Sequence, residues 1–217
     1  NYDSRLSDIA KRIPDVDAER ALKEGRTDLR HLPFVTIDPK TAKDFDDAVC
    51  LIEENGKRTL WVAIADVAHY IEPETLLDDE ARARATSVYL PHTVLPMLPS
   101  RLSDNLCSLR AKVPRLAMTV SMEIENDWTI GKVAAFESVI EVRENLSYED
   151  ALDNSRFQNM IEVSEGLRRN EIRLNLNSAE LRPRVHEDEI SVNVKWPNKA
   201  TEMIETFMVA TNNSIGI

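Results

Sequence analysis

A tight turn at Asn55-Gly56 places the strongest constraint on how this chain can fold. The pair separates two apolar segments of strand-like composition, residues 48–53 and 59–67, and Asn-Gly readily adopts the positive φ angles of a two-residue hairpin loop. A further apolar run at residues 32–37 predicts another strand upstream. The sequence therefore predicts a sheet in which the connection between the first two strands, residues 38–47, is rich in aspartate.

Further strands and helices are expected along the chain. The other predicted strands, marked by alternating or β-branched residues, are 116–125, 129–142 and 190–194. The predicted helices, marked by capping residues or helical spacing, are 78–86, 147–174 with Ser147 as its cap, and the segment after Asn198. Residues 90–109 contain several prolines, which exclude a continuous helix and predict a long ordered loop.

The chain divides into a short leading part and one larger domain. Residues 1–30 are charged and weakly periodic, with Pro14 and Gly25 as breakers, which predicts a leader or the end of an upstream domain. Residues 31–217 contain no repeat, low-complexity tract or linker. We expect one α+β domain, with a mixed, largely antiparallel sheet and flanking helices.

Composition predicts an intracellular, cytoplasmic protein. The chain has 217 residues, of which 42% are hydrophobic and 30% charged, as in ordinary globular domains. No apolar run approaches the roughly 20 residues of a membrane span, and the polar start is unlike a signal peptide. Cys50 and Cys107 lack a metal-binding spacing, so we expect buried, reduced thiols.

The net charge of −11 argues against a surface that coats nucleic acid in general. Residues 81–115 nevertheless carry six lysines and arginines against Asp104 alone. The window could be a solvated surface, as charge runs usually are, or a path for a polyanion such as a nucleic acid. In the second case its candidate nucleic-acid-binding residues are Arg101, Arg110 and Arg115.

Four aspartates lie within ten residues of the predicted first connection: Asp38, Asp44, Asp46 and Asp47. Composition alone is compatible with a solvated acidic turn. Carboxylates so close raise one another's pKa unless a cation compensates them, and Mg²⁺ prefers oxygen ligands. Two such ions about 4 Å apart can stabilise the attacking and leaving oxygens of a phosphodiester. Phosphoryl-transfer chemistry is therefore the leading hypothesis.

Several separate motifs carry a resemblance to a known family. They read HLPFVTIDPKTAKDFDDA at 31–48, LWVAIADV at 60–67 and SVYLPHTVLPMLP at 87–99, and shorter matches follow as far as 202–212. In order and spacing they resemble the RNB catalytic domain of the ribonuclease II and ribonuclease R family, over residues 31–213. Agreement of several motifs is far more specific than one acidic loop.

The resemblance implies a 3′-to-5′ exoribonuclease that hydrolyses single-stranded RNA to nucleoside 5′-monophosphates. It implies Mg²⁺ as the cofactor, with Mn²⁺ as the alternative. Asp38 and Asp47 would be direct ligands, and Asp44 would support the metal site. Asp46 would be the aspartate on which cleavage most depends.

The resemblance also implies contacts to RNA. Tyr89, in the Tyr-Leu-Pro motif, would stack on the terminal base, because a nucleobase offers a π-face to an aromatic ring. The alternative for Tyr89 is a core aromatic. Tyr148 and Glu205 fall where the family has further nucleotide contacts.

The chain also departs from the family pattern. The family's catalytic domain continues beyond the segment that matches 202–212 and includes a later arginine-rich motif, and further RNA-binding domains flank it. We therefore expect the catalytic domain at 31–217 to be incomplete at its C-terminal end and expect further RNA-binding domains in the full-length protein. The alternatives are a catalytically impaired RNA-binding or regulatory remnant of the same fold, and a metal-dependent phosphoesterase acting on small molecules.

Overall fold

The computed structural model describes residues 4–90, 93–170, 180–186 and 189–216. The strands in these ranges are β1 (Thr27–Asp28), β2 (Val35–Asp38), β3 (Asp47–Glu54), β4 (Lys57–Ala65), β5 (Val88–Tyr89), β6 (Val94–Leu95), β7 (Pro114–Ile124), β8 (Ile130–Glu141), β9 (Glu144–Ser147), β10 (Glu180–His186) and β11 (Glu189–Lys195). The helices are α1 (Ser4–Arg12), α2 (Ala18–Lys23), α3 (Leu76–Arg84), α4 (Tyr148–Leu152), α5 (Gln158–Arg169) and α6 (Lys199–Ile215). Single helical turns lie at Val67–His69, Leu102–Leu106 and Ser155–Phe157.

One large sheet organises the molecule. In the described part of the chain it has seven strands in the order β1-β8-β7-β4-β3-β2-β9. The pairs β1–β8 and β2–β9 are parallel, and the other neighbours are antiparallel. Together with the helices, this arrangement confirms the α+β class and the mixed, largely antiparallel sheet.

The hairpin predicted around Asn55-Gly56 is present. Glu54 pairs with Lys57 across the turn, and Asn55 and Gly56 have φ angles of 53° and 74°. This left-handed backbone is the conformation that a two-residue turn between twisted strands requires. The strands predicted at 116–125 and 129–142 are also present, and they form a second hairpin of β7 and β8.

Apolar side chains cover both faces of the sheet, as the period-two geometry of strands requires. Val49 and Val62 face a core cluster that also contains residues of α4, α5 and α6. Their neighbours Ala48 and Ala63 face a second cluster with residues of α1, α3 and the turn Leu102–Leu106. The sheet is therefore the middle layer, which explains the nearly continuous apolar sequence of β3 and β4.

The expectation of a loop over residues 90–109 needs correction. β6 in this segment pairs with β5 as a small antiparallel sheet, and Leu102–Leu106 forms a π-helical turn with Leu102 and Leu106 buried. The prolines exclude a continuous helix but permit a turn after Pro99, whose carbonyl accepts from the Leu102 N–H at 2.7 Å.

The C-terminal predictions hold in outline. The Ser147 cap is present as a capping box with Asp150, but the expected helix 147–174 is divided into α4 and α5 by a turn capped at Asn154. Leu174 lies outside the described residues. β11 confirms the strand 190–194, although Val192 and Val194 are 54% and 53% exposed rather than half-buried.

Residues 4–30 lie against the same fold. Leu6 and Ala10 of α1 are buried, with Leu6 in the second core cluster, and β1 pairs with β8. Among the described helices, none is long and apolar enough to cross a membrane. Cys50 and Cys107 are free and buried, as expected.

A close contact joins the loop of the second hairpin to α5. Gly166 is buried in this helix, and a Cβ atom there would overlap the Trp128 ring. Trp128 itself has a φ of 67°, and the Arg58 guanidinium lies 4.9 Å from its ring centroid. The absence of a side chain at Gly166 is therefore what permits the ring to pack on the helix.

This contact can be tested with Gly166→Ala. Helix propensity alone would stabilise the protein by about 1 kcal/mol, whereas overlap with Trp128 is expected to destabilise it by about 1–3 kcal/mol. Urea unfolding of the wild type, Gly166→Ala, Trp128→Ala and the double variant measures both effects. In the Trp128→Ala background the second substitution should be neutral or stabilising. A Gly166→Ala protein more stable than wild type would contradict the packing.

Candidate active site

The sheet brings the two ends of the aspartate-rich connection to one edge. Val35 of β2 pairs with Val49 of β3 in antiparallel register, so Asp38, which ends β2, and Asp47, which begins β3, lie at the same edge. The carbonyl of Asp46 accepts from the Ala65 N–H at 2.9 Å, which holds it beside the end of β4. We call residues 39–46 the acidic loop.

Burial and mutual repulsion act on three of the four carboxylates. Burial, then the negative charge of Asp47, raises the pKa of Asp38 to about 7, and a hydrogen bond with Thr36 opposes that rise. Burial, then the charge of Asp46, raises the pKa of Asp47 to about 6. The pKa of Asp46 is raised by burial and by Asp44. The site therefore favours a bound proton or cation, because either would neutralise the negative charge of the carboxylates.

The donor set fits a hard divalent cation, since it consists of carboxylate oxygens. Asp38 Oδ2 is buried without a hydrogen-bond partner, and such an atom costs free energy unless something satisfies it. In the described part of the chain, however, no three acidic, histidine or cysteine side chains are arranged to hold an ion. The fold gathers the carboxylates without arranging them as a complete ligand set.

Tyr89 stands beside this site and not in the core. Its side chain is 66% exposed, and its hydroxyl donates to Asp44 Oδ2 at 2.7 Å. That hydrogen bond, followed by partial burial, raises the pKa of Tyr89 to about 12. The core-aromatic alternative is wrong, because β5 lies in a small separate sheet next to the acidic loop and leaves the ring open to solvent.

Tyr148 and Glu205 lie on two different helices, α4 and α6. Ser147, which pairs with Asp38 across β2 and β9, directly precedes Tyr148, so the half-buried Tyr148 starts α4 at the edge that holds the aspartates. Glu205 is exposed on α6, a helix that packs against α4. Both therefore lie on elements joined to β2 through α4.

The three arginines of the basic window have unlike surroundings. Arg101 donates to Asp15 at 2.9 Å and to the Ile13 carbonyl. Arg115 is only 6% exposed, and its three side-chain nitrogens donate to protein oxygens. Arg110 is exposed. The window is therefore not one uniform cationic surface, and of these three arginines only Arg110 is exposed.

One residue that holds the acidic loop is not marked by the sequence pattern. Ser108 is completely buried, and its hydroxyl donates to the Lys43 carbonyl at 2.8 Å and accepts from the Phe45 N–H at 3.1 Å. Residues 106–109 are one of the shorter matches to the family pattern, and nothing in that match indicates that Ser108 contacts the acidic loop. Composition cannot reveal such a contact, because the partners are more than 60 positions apart in the sequence.

Curated relatives of this chain are named as a ribonuclease and an exonuclease. The chain is 50% identical to ribonuclease R of Escherichia coli (strain K12) over 127 residues, which cover 58% of this chain and 16% of that protein. It is 38% identical over 219 residues to the exosome complex exonuclease RRP44 homolog A of Arabidopsis thaliana, covering 92% of this chain and 23% of that protein. The chain thus spans less than a quarter of the length of either relative.

A solved structure and a family model agree with these relatives. Mycoplasma genitalium RNase R in complex with ribose methylated single-stranded RNA superposes with a TM-score of 0.90 at 30% identity, covering 99% of this chain and 36% of that one. The family model described as the RNB domain matches residues 26–216. With the sheet and its gathered carboxylates, this match shows that the chain belongs to the RNB domain family.

Proposed function

We propose that this chain is part of a 3′-to-5′ exoribonuclease that hydrolyses single-stranded RNA to nucleoside 5′-monophosphates with Mg²⁺, or with Mn²⁺ in its place. The observation that carries the proposal is the gathering of the partly buried carboxylates of Asp38 and Asp47 at one sheet edge, with the exposed Tyr89 ring beside the acidic loop that joins them. Relatives named ribonuclease R support the choice of substrate. Two buried reduced cysteines agree with a cytoplasmic location.

Each of the four aspartates has a separate role in the proposed reaction. Asp38 and Asp47 would hold the cation, and Asp44, fixed by Tyr89, would support the site. When bound, a divalent cation supplies Lewis acidity and lowers the pKa of a bound water. Asp46, held by its backbone to Ala65, would orient the attacking water toward the phosphodiester, so cleavage should depend on it most.

The proposed RNA path runs over Tyr89. Its exposed ring would stack on a base near the 3′ end, and Tyr148 and Glu205 would contact neighbouring nucleotides. Arg110, exposed in the basic window, would meet the phosphate backbone, whereas Arg101 and Arg115 already donate to protein oxygens. The net charge of −11 leaves much of the affinity for RNA to further domains of the full-length protein.

A catalytically impaired RNA-binding form is the second candidate. It is favoured by the lack of a complete ligand arrangement among the described acidic residues. This candidate predicts that the protein binds RNA but forms no cleavage product. A phosphoesterase acting on small molecules predicts the opposite, hydrolysis of a simple phosphodiester with no shortening of RNA.

Asp46→Asn tests the catalytic assignment. A 5′-labelled single-stranded oligoribonucleotide with Mg²⁺ should be shortened from its 3′ end by the full-length wild type, with release of nucleoside 5′-monophosphates. The variant should lose turnover by at least about 100-fold and keep its affinity for RNA, because asparagine removes charge without removing volume. Near-native turnover of Asp46→Asn would refute the assignment.

Tyr89→Ala and Tyr89→Phe separate the ring from the hydroxyl. Loss of the ring should weaken binding of short RNAs by about 1–3 kcal/mol, the usual contribution of one base–aromatic stack, and lengthen the final product. The Phe variant loses only the hydrogen bond to Asp44 and should keep the wild-type product length. Because the ring is exposed, neither should lower the melting temperature by more than a few degrees. Equal product lengths for Ala and wild type would contradict stacking.

Asp38→Asn tests the electrostatic cost of the site through stability. The folded-state pKa of Asp38, about 7, lies above its unfolded value of about 3.9. The stabilisation by the protonated form is therefore fully present below pH 4 and is lost as the pH rises through 7. In EDTA, the variant should be about 1–2 kcal/mol more stable than wild type at pH 8, after allowance for solvent screening. The difference should vanish near pH 4, and a pH-independent difference in urea unfolding would contradict this origin.

A further inference from the structure

A single buried hydroxyl fixes the acidic loop on both sides of Asp44. The Ser108 hydroxyl donates to the carbonyl of Lys43 and accepts from the N–H of Phe45. The Leu109 N–H adds a third hydrogen bond, to the Phe45 carbonyl at 2.8 Å. The backbone on either side of Asp44 is therefore held in place by hydrogen bonds.

The segment that carries Ser108 is itself anchored by Arg115. Its Nε donates to the carbonyls of Ser108 at 2.9 Å and Asn105 at 3.1 Å, and its Nη2 donates to Asn105 Oδ1 at 3.0 Å. A buried guanidinium is costly unless its donors are satisfied. The carbonyls of Ser108 and Asn105 and the Asn105 side chain accept from this guanidinium, which explains why the Arg115 cation is buried here.

Asn145 links the same segment to β2. Its Nδ2 donates to the Leu109 carbonyl and to Thr36 Oγ1, each at 3.0 Å, and its Oδ1 accepts from the Ala111 N–H at 2.8 Å. Thr36 lies in β2, two residues before Asp38. The network therefore reaches both the acidic loop and the strand that ends in the first of the four aspartates.

We propose that Ser108 is a positioning residue that holds Asp44 and Asp46 in register with Asp38 and Asp47, and that Arg115 and Asn145 hold Ser108 in place. As an inference about the reaction it rests on the proposed function. Catalytic groups must be held to within a fraction of an ångström, and a misplacement of 1 Å can cost roughly 100-fold in rate. Backbone hydrogen bonds from a buried side chain supply that restraint to a loop between strands.

Ser108→Ala tests the proposal against a matched control, Ser138→Ala. Ser138 is also completely buried and also has two partners, Thr119 Oγ1 at 2.7 Å and the Ala117 carbonyl at 3.2 Å. It lies in β8, which β7 and β4 separate from β3. Both variants lose one buried hydroxyl, but only one of them releases the acidic loop. Ser108→Thr retains the hydroxyl and serves as the rescue.

Two measurements are needed, each made well below the melting temperatures of the variants. Hydrogen exchange on this chain reports the Phe45 amide, which should exchange roughly 10-fold faster in Ser108→Ala than in wild type. Kinetics of the full-length protein should show kcat reduced roughly 10- to 100-fold, a raised Mg²⁺ concentration for half-maximal rate, and unchanged affinity for RNA. Ser138→Ala should lower only the melting temperature, and Ser108→Thr should recover kcat.

The outcomes separate this proposal from the proposed function. Unchanged Phe45 exchange, or unchanged kcat and Mg²⁺ dependence, in folded Ser108→Ala overturns the positioning role. The same kinetic loss in Ser138→Ala also overturns it, because the effect would then be general destabilisation. A wild-type protein that does not cleave RNA overturns the proposed function, and the exchange measurement then decides whether Ser108 restrains the loop.

Discussion

Repulsion among carboxylates at one edge of the sheet is the constraint around which the neighbouring structure is arranged. The antiparallel pairing of β2 with β3 places Asp38 and Asp47 together, and the folded chain keeps them there although burial raises the pKa of both. Hydrophobic layers on both faces of the sheet hold the strands in place. The free energy of that packing is what allows like charges to remain close, and a cation would relieve the repulsion.

Three surrounding elements then fix how the acidic loop lies. Tyr89 donates to Asp44 from the small β5–β6 sheet, the Ala65 N–H at the end of β4 donates to the carbonyl of Asp46, and Ser108 holds the backbone between them. Each contact comes from a different part of the chain. A loop without such contacts would not keep one conformation in water, so these contacts hold the carboxylates of the acidic loop in a defined arrangement.

Local chemistry made much of this fold predictable from the sequence. The turn at Asn55-Gly56 and the cap at Ser147 depend on neighbouring residues and appear as expected. The surroundings of Arg115 and the contacts of Ser108 depend on distant partners, which no periodicity reveals. The charge of Arg115 is visible in the sequence and predicts a phosphate contact. Its burial depends on tertiary packing, which the sequence does not show. The aspartates could be identified as a group, but their unequal burial could not.

The most direct measurement is an anomalous difference map from crystals of the protein grown or soaked with Mn²⁺. If these carboxylates form a metal site, a peak should lie within coordination distance, about 2.0–2.6 Å, of Asp38 and Asp47 oxygens, and it should disappear in Asp38→Asn crystals treated in the same way. A fully occupied peak elsewhere, or none at saturating Mn²⁺ with the acidic loop in the conformation described above, would contradict a metal-assisted site at this edge of the sheet.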